Sequence, residues 1–220
     1  MKNVGFTLIE LLIAMAVGMV VLSAVYAVFT LQNKLLANQE QLTELHQNAR
    51  IGMDIMVREI CMAGYNQTSS SCSSPVTAVY RCTGVTTATN TPCVGITNAG
   101  ANAISFVTDV NANCDTTAGS SNPNENITYD VYSSSGVPSL GRISNGSRQP
   151  VVENVDSLTF TYYDSSGVTA NLANIRKIKI IITTRTAKED PSYTHPTSGD
   201  HYRRYTLESF VIPRNLGLGS

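Results

Sequence analysis

The stretch GFTLIELLIAM, from Gly5 to Met15, decides how the first third of the chain folds. It opens an apolar run from Phe6 to Leu31 in which Glu10 is the only charged side chain. As an α-helix the run would be about 39 Å long, against a membrane hydrocarbon core of about 30 Å. A carboxylate at that depth is costly, and such residues usually have a partner and a function. The stretch therefore predicts a membrane-spanning helix over residues 6–31, in which Glu10 needs a partner.

The segment ahead of the helix, MKNVG, is short and carries one positive charge, at Lys2. No small-residue cleavage site of the secretory type follows the apolar run, because the helical pattern continues without a break. Lys2 favours a cytoplasmic N-terminus. We therefore expect a single-pass helix with all later residues on the extracytoplasmic side of the inner membrane.

The helical pattern continues beyond the apolar run. Residues 32–62 contain no proline, and Gly64 is a suitable stop signal. Apolar residues recur at spacings of three and four, which places them on one face of the helix: Leu42, Leu45, Ala49, Met53, Met56 and Ile60. A coiled coil suits this segment less, because its d-like positions include Asn38, Gly52 and Glu59. We expect an amphipathic continuation over residues 32–64 that packs on a globular domain.

After Tyr65 the chain changes to short runs of alternating apolar and polar residues bounded by Gly, Asn and Ser. Five runs have this pattern: AISFVTD, NITYDVYS, SLTFTYYD, IRKIKIIITTRT and RRYTLESFVIP. Such alternation is typical of half-buried antiparallel strands. A sheet with one apolar face beside a helix with one apolar stripe predicts an α+β domain over residues 65–220. Residues 66–100 and 109–126 are polar and rich in turn residues, so we expect loops there.

Composition agrees with an extracytoplasmic location. Only 14% of the residues are charged, the formal net charge is −1, and Ser, Thr and Asn are abundant. This balance offers no basic surface for nucleic acid. In an oxidising compartment, cysteines form disulfides, and an odd count leaves one thiol over. The chain has five: Cys61, Cys72, Cys82, Cys93 and Cys114. Cys82 and Cys93 are candidates for closing a short loop, worth roughly 3 kcal/mol in the chain-entropy model; the connectivity of the others stays open.

Motifs of catalysis and metal binding are incomplete or missing. His46, His195 and His201 stand in no zinc-like or haem-like spacing, and no nucleophile elbow, P-loop or dinucleotide-binding glycine pattern occurs. The run DVNANCD, from Asp109 to Asp115, resembles the opening of a calcium loop but has Cys114 in place of the turn glycine. A polar turn explains it better. The sequence therefore predicts a protein that is not an enzyme and needs no cofactor or metal.

Gly5 followed by FTLIE and an unbroken apolar helix resembles the class III signal of type IV prepilins and related pseudopilins. Lys2 in a short leader, the Gly5–Phe6 junction and the carboxylate of Glu10 stand at the spacings of that signal. The resemblance implies that residues 1–5 are a leader, that a prepilin peptidase cleaves after Gly5, and that the new amine of Phe6 is methylated. It also implies a pilin-like fold: one long helix packed on an antiparallel sheet.

Two shorter segments narrow the resemblance. ARIGMDIMVREICMAGY, from Ala49 to Tyr65, resembles the end of the long helix in PilW-type minor pilins. The C-terminal VIPRNL is similar to the closing strand of that group and of the related J-type pseudopilins. The implied function is a minor pilin that initiates or supports assembly of a type IV pilus. Its implied partners are other major and minor pilin subunits, the prepilin peptidase, the inner-membrane assembly platform and, before assembly, membrane lipid.

The resemblance also suggests a partner for Glu10. In the family the glutamate meets the terminal amine of the neighbouring subunit, and an ion pair in a dry environment offsets the desolvation of both charges. The alternative is that Glu10 is protonated or extends toward the membrane surface. Two other functions stay open: a minor pseudopilin of a type II secretion system, and a membrane-anchored binding domain. A plain anchor has no need of a carboxylate in lipid, so Glu10 favours a structural subunit of a filament.

Overall fold

The computed structural model describes residues 7–65, 95–111, 124–168 and 171–216. The order of elements is one α-helix followed by eight strands. They are α1 (Leu8–Ile60), β1 (Ile96–Ala99), β2 (Ile104–Val107), β3 (Asn126–Ser134), β4 (Val137–Ser144), β5 (Ser147–Glu153), β6 (Val155–Tyr163), β7 (Lys177–Arg185) and β8 (Arg204–Val211), with a short 3-10 turn at Leu172–Asn174. The chain divides into two compact units, Met1–Thr43 and Glu44–Ser220.

The described part of the first unit consists of Thr7 and of α1 up to Thr43. Along the apolar run the side chains are exposed, from Leu8 to Leu31. The hydroxyls in this run are bonded within the helix, because Ser23 donates to the carbonyl of Val20 and Thr30 to that of Ala27, at 2.8 and 2.9 Å. The run therefore presents an apolar surface with its backbone and hydroxyl groups satisfied.

The second unit contains two antiparallel sheets. Strands β1 to β5 form one sheet in sequence order, and β6 to β8 form the other in sequence order. Tight turns join β3 to β4 at Ser135–Gly136 and β4 to β5 at Asn145–Gly146, with positive φ at all four residues. Two positive φ angles define a type I′ turn, which suits the right-handed twist of the flanking strands.

Both sheets pack against the second half of α1. The buried face of the helix consists of Leu45, Ala49, Gly52, Met53, Met56 and Ile60. A Cβ atom added at Gly52 would lie 3.0 Å from Cδ1 of Ile182 in β7 and 3.3 Å from Cδ2 of Leu140 in β4. Gly52 is therefore the point at which side chains of both sheets approach the helix closely, and its missing side chain permits that approach.

The α-helix ends four residues before the end of the expected segment, residues 32–64. The α-helix ends at Ile60, because the amides of Met62 and Ala63 donate to carbonyls three residues back, each at 3.0 Å. This tighter bonding closes the last turn, and Gly64 then leaves it with φ +75°. The amide of Gly64 donates to the carbonyl of Val107 at 2.9 Å, which joins the end of the helix to β2.

The predicted α+β class, a long helix packed on antiparallel strands, is confirmed, and all five predicted runs contain a strand: β2, β3, β6, β7 and β8. Two features differ from prediction. The strands form two sheets rather than one, and β1, at Ile96–Ala99, lies in a segment expected to be a loop. Strands β4 and β5 were not predicted, although the dipeptide Asn145–Gly146 is a strong hairpin signal.

Candidate functional site

The first turn of α1 holds the carboxylate of Glu10 against Thr7. The carbonyl of Thr7 accepts the first helical hydrogen bond, from the amide of Leu11 at 3.2 Å, so Thr7 is the N-cap residue. The amide and the hydroxyl of Thr7 donate to Oε2 of Glu10 at 3.5 and 3.4 Å, and the amide of Glu10 approaches Oγ1 of Thr7 at 3.4 Å. This reciprocal arrangement is a capping box.

The capping box gives Glu10 a role that the sequence interpretation missed. The signal was present, since Thr7-Leu8-Ile9-Glu10 has the S/T-x-x-E pattern ahead of an apolar run. A carboxylate at this position also interacts favourably with the positive end of the helix dipole. Within a single chain Glu10 therefore has local partners, and a contact with a neighbouring subunit would be additional to them.

Of the other predicted site residues, only Cys61 lies within the described ranges. Gly5, Phe6, Cys72, Cys82, Cys93 and Cys114 lie outside the described residues. Cys61 is described and is a half-buried free thiol one residue after the end of α1. The proposed cleavage, the methylation and the Cys82–Cys93 bridge therefore stay predictions.

The length and composition of α1 fit a membrane. Within the described residues, one helix, α1, is long and apolar enough to cross a bilayer, and none of its most apolar part is buried. Large exposed apolar surfaces on a protein mark contacts with lipid or with other chains. The apolar half of α1 thus requires one of these two environments.

The polar clusters of the second unit join elements to one another. Oε2 of Glu59, near the end of α1, accepts hydrogen bonds from the hydroxyl of Tyr129 at 2.6 Å and from Nε of Arg142 at 3.0 Å. Burial, and then the hydrogen bond to Glu59, raise the pKa of Tyr129 far above its usual 10. Burial acts to lower the pKa of Arg142, but the Glu59 carboxylate raises it overall. The phenol and the guanidinium therefore keep their protons, and the cluster fastens α1 to β3 and β4.

A second polar cluster lies in the connection from β7 to β8. Asp190 accepts from the amide and hydroxyl of Ser192 and from Arg203, whose Nη2 lies 2.8 Å from Oδ2. These bonds, that of the Ser192 hydroxyl first, lower the pKa of Asp190 from 3.8 to about 2. Arg204 bridges Asp156 and Asp200 at 2.7 and 2.6 Å. The connection is thus held by ion pairs.

The described residues contain no cluster with the makeup of a metal centre. Across residues 7–65, 95–111, 124–168 and 171–216, no three His, Cys, Asp or Glu side chains come together as ligands. The ring of His46 lies against that of Tyr205, 4.1 Å between centroids, and Nδ1 of His195 lies 2.9 Å from the hydroxyl of Ser198. Of the calcium-like run, Asp109 is described and buried, while Cys114 and Asp115 lie outside the described ranges.

Comparison with known proteins gives two findings. Residues 2–26 match the family model described as the prokaryotic N-terminal methylation motif. In structure the chain is similar to a type IV-like pilin from Thermus thermophilus, with 10% sequence identity, a TM-score of 0.40, and coverage of 78% of this chain and 98% of that one. No curated protein matches the chain in sequence. The motif confirms the resemblance to type IV prepilins and pseudopilins for the N-terminal segment, from Lys2 to Tyr26.

Proposed function

We propose that this chain, whose N-terminus carries a prokaryotic methylation motif, is a minor pilin: a structural subunit that initiates or supports assembly of a type IV pilus. The observation that carries the proposal is the match over residues 2–26, because it includes the Gly5–Phe6 junction, Glu10 and most of the apolar run. The PilW-type subtype rests on the resemblance of residues 49–65 and of VIPRNL.

The physical features of α1 support assembly through the apolar half of the helix. Its exposed apolar side chains suit lipid before assembly and other apolar helices after it, so a subunit can move between the two environments without exposing this surface to water. Glu10 is placed one helical turn from the amine that cleavage after Gly5 would create. In the filament, the carboxylate of one subunit would pair with the amine of its neighbour, and each charge would offset the desolvation of the other.

Processing is the first prediction. We expect the mature chain to begin at Phe6 and to carry a methyl group on its amine. A Gly5→Phe variant should accumulate as the uncut precursor, because a bulky side chain replaces the glycine at the junction. Intact-mass analysis of membrane extracts measures both changes; a mature wild-type chain that still begins at Met1 would contradict the proposal.

The second prediction tests Glu10 itself and separates its two roles. A Gln at this position still completes a capping box but carries no charge, whereas a Val carries no charge and completes no capping box. If the ion pair drives assembly, Glu10→Gln and Glu10→Val should both reduce incorporation by about tenfold or more, since an unpaired buried charge costs several kcal/mol. If the cap is what matters, the Gln variant should behave as wild type.

The assay for this prediction is the amount of the protein in sheared surface filaments, divided by its amount in the membrane. Glu40→Val is the matched control, because Glu40 is an exposed glutamate of the same helix outside the apolar run. Membrane insertion of all variants should equal or exceed that of wild type. Normal incorporation of Glu10→Val would show that the assembly contact proposed for Glu10 is wrong.

A deletion strain distinguishes a pilus from a secretion system. For a minor pilin we expect fewer surface filaments per cell and unchanged export of secreted proteins. Loss of export with a normal number of filaments would instead assign the chain to a type II secretion pseudopilus.

A further inference from the structure

Within the described residues, the two sheets of the second unit have four edge strands, and three of them are irregular. In β1, Ile96 and Asn98 pair with successive residues of β2, so Thr97 is an extra residue. In β5, Val151 is an extra residue in the pairing with β4, and Pro150 stands next to it. In β6, Asp156 is an extra residue in the pairing with β7. Bulges and edge prolines are two of the devices by which proteins prevent an edge from pairing with another chain.

Strand β8 has none of these devices. It pairs with β7 in unbroken register over eight residues, from Arg204 opposite Arg185 to Val211 opposite Ile178, and contains no proline. Within the described strands, no other strand pairs with its outer side. Among the described strands, three edges are thus interrupted and that of β8 is regular.

The hydrogen-bonding pattern identifies which backbone groups face outward from β8. The amide of Thr186 donates to the carbonyl of Arg203, and the amide of Arg185, the preceding residue, donates to Asn154 on the other side of β7. Because antiparallel ladders alternate, the odd-numbered residues of β8 bond to β7. The amides and carbonyls of the even-numbered residues, Thr206, Glu208 and Phe210 among them, therefore point toward the open edge.

The surface beside this edge is apolar and positively charged. Phe210 is 49% exposed and Ile212, just beyond the strand, is 64% exposed. Nζ of Lys177 lies 5.0 Å from the ring centres of both Phe210 and Tyr163, and within the described residues it forms no ion pair with a carboxylate. Lys179 already pairs with Glu208 at 2.8 Å. The ammonium group of Lys177 can therefore pair with a carboxylate of a bound partner.

We propose that the outer edge of β8 binds an extended strand of a different protein subunit by β-augmentation. The amides and carbonyls of Thr206, Glu208 and Phe210 form main-chain hydrogen bonds with that strand, as in other complexes that extend a sheet. Apolar side chains of the partner cover Phe210 and Ile212, and an acidic side chain pairs with Lys177. This interface is separate from Glu10 and does not depend on it.

A second copy of this chain is a less suitable partner. Its edges at β1, β5 and β6 are interrupted by the extra residues or by Pro150. Among the described strands only its own β8 is regular, and the one carboxylate of that strand, Glu208, already pairs with Lys179. A second β8 edge therefore brings a second uncompensated Lys177 and no unpaired carboxylate for the first. The charge of this surface therefore favours a different, acidic strand.

Photo-crosslinking in the producing cells tests the proposal with the full-length protein. Benzoylphenylalanine at Phe210 places the crosslinker at the open edge with little change of shape, and at Gln149, an exposed residue of β5, it serves as the control edge. We expect an adduct at position 210, mapped by mass spectrometry to a strand of another subunit, and none at position 149.

Substitutions then test the chemistry. Thr206→Pro removes an outward amide and no backbone hydrogen bond to β7. Thr206→Val keeps the amide and is its matched control, because both variants lose the hydroxyl contact of Thr206 with Thr183 in β7. We expect the proline to reduce the adduct by about fivefold, as for one lost backbone hydrogen bond, and the valine to leave it unchanged. Lys177→Glu, which alters no backbone group, should reduce it as well.

Three outcomes would overturn the proposal: no adduct at position 210, an adduct that joins two copies of this chain, or an adduct insensitive to both Thr206→Pro and Lys177→Glu. Circular dichroism melting of the purified variants shows whether they are folded. Incorporation into filaments, measured as for Glu10, is recorded in parallel, so that failure of the β8 interface and failure of the proposed function are distinguished.

Discussion

At the scale of single residues, two glycines determine how the end of α1 meets the first sheet. A Cβ atom added at Gly95 would lie 2.2 Å from the backbone nitrogen and 2.5 Å from Cα of Gly64. Backbone atoms cannot move aside as the end of a flexible side chain can. Gly95 is therefore required where two backbones approach, which is one of the main uses of glycine.

Gly95→Ala should destabilise the second unit by about 3 kcal/mol or more, because the new methyl group overlaps backbone atoms and forces the helix end away from β1. Gly136→Ala is the control: its φ is +86° but the space around it is open. That change should cost only about 1 kcal/mol from backbone strain. Urea unfolding followed by circular dichroism measures both, and equal midpoints for the two variants would contradict the close approach.

At the scale of elements, α1 combines two surfaces in one helix. Residues up to Leu31 expose apolar side chains, whereas one face of the helix from Leu45 to Ile60 is buried against both sheets. The attachment includes polar contacts at both ends of the buried face. The hydroxyl of Thr184 donates to the carbonyl of Leu45 at 3.0 Å, and Glu59 binds Tyr129 and Arg142. Because hydrogen bonds are directional, these bonds fix the position of the helix along the sheets, which the apolar contact alone does not fix.

Removing the partners of Glu59 one at a time should have unequal effects. Tyr129→Phe should cost about 1–2 kcal/mol, because Glu59 keeps its ion pair with Arg142. Arg142→Met should cost more, about 3 kcal/mol, because it leaves a half-buried carboxylate without its counter-charge. Replacing Glu59 and Arg142 together by Gln and Met should recover part of that loss.

Thermal and urea unfolding of the second unit measure these changes in stability. Hydrogen exchange of residues 56–60 is a local probe of the same changes. An Arg142→Met variant no less stable than Tyr129→Phe would show that the ion pair does not fasten the helix.

At the scale of the whole molecule, charged residues are few, and several of their ion pairs lie in one region. Only 14% of the residues are charged. Within the described part of the chain, four ion pairs involve Asp156, Asp190 or Asp200, around the connection from β7 to β8. An acidic solution should therefore loosen this region before it unfolds the apolar core.

The direction of that pH dependence follows from the lowered pKa of Asp190, which moves from 3.8 to about 2 in the folded chain, chiefly through Ser192 and then Arg203. A carboxyl group with a lowered folded pKa stabilises the fold above its unfolded pKa and loses that contribution as pH falls through the folded value. Amides of residues 187–202 should lose protection between about pH 4 and pH 2, with the core unchanged. Hydrogen exchange, corrected for intrinsic rates, measures this.

Ser192→Ala is the matched variant for this experiment, because it removes the largest cause of the lowered pKa and leaves Arg203 in place. It should shift the loss of protection to higher pH. Identical profiles for the variant and the wild type would contradict the assignment to Asp190.

The sequence by itself determined the elements whose signals are local. The apolar run predicted a membrane helix with Glu10 inside it. The three-and-four spacing from Leu42 to Ile60 predicted the buried face, because helical periodicity fixes which residues share a side; in the structure that face is buried from Leu45 onward and Leu42 is half-buried. Alternation with a period of two located β2, β3, β6, β7 and β8. The capping box at Thr7 and the turn at Asn145–Gly146 were also local signals, and were overlooked.

Only the tertiary structure decided how these elements combine. Strand alternation does not specify a partner, so the division into two sheets and the choice of β8 as an open edge depend on pairing between distant segments. The approach of Gly95 to Gly64, and the meeting of Glu59 with Tyr129 and Arg142, likewise join residues separated by tens of positions. Such contacts cannot be predicted from local sequence, because no property of either residue alone identifies its partner.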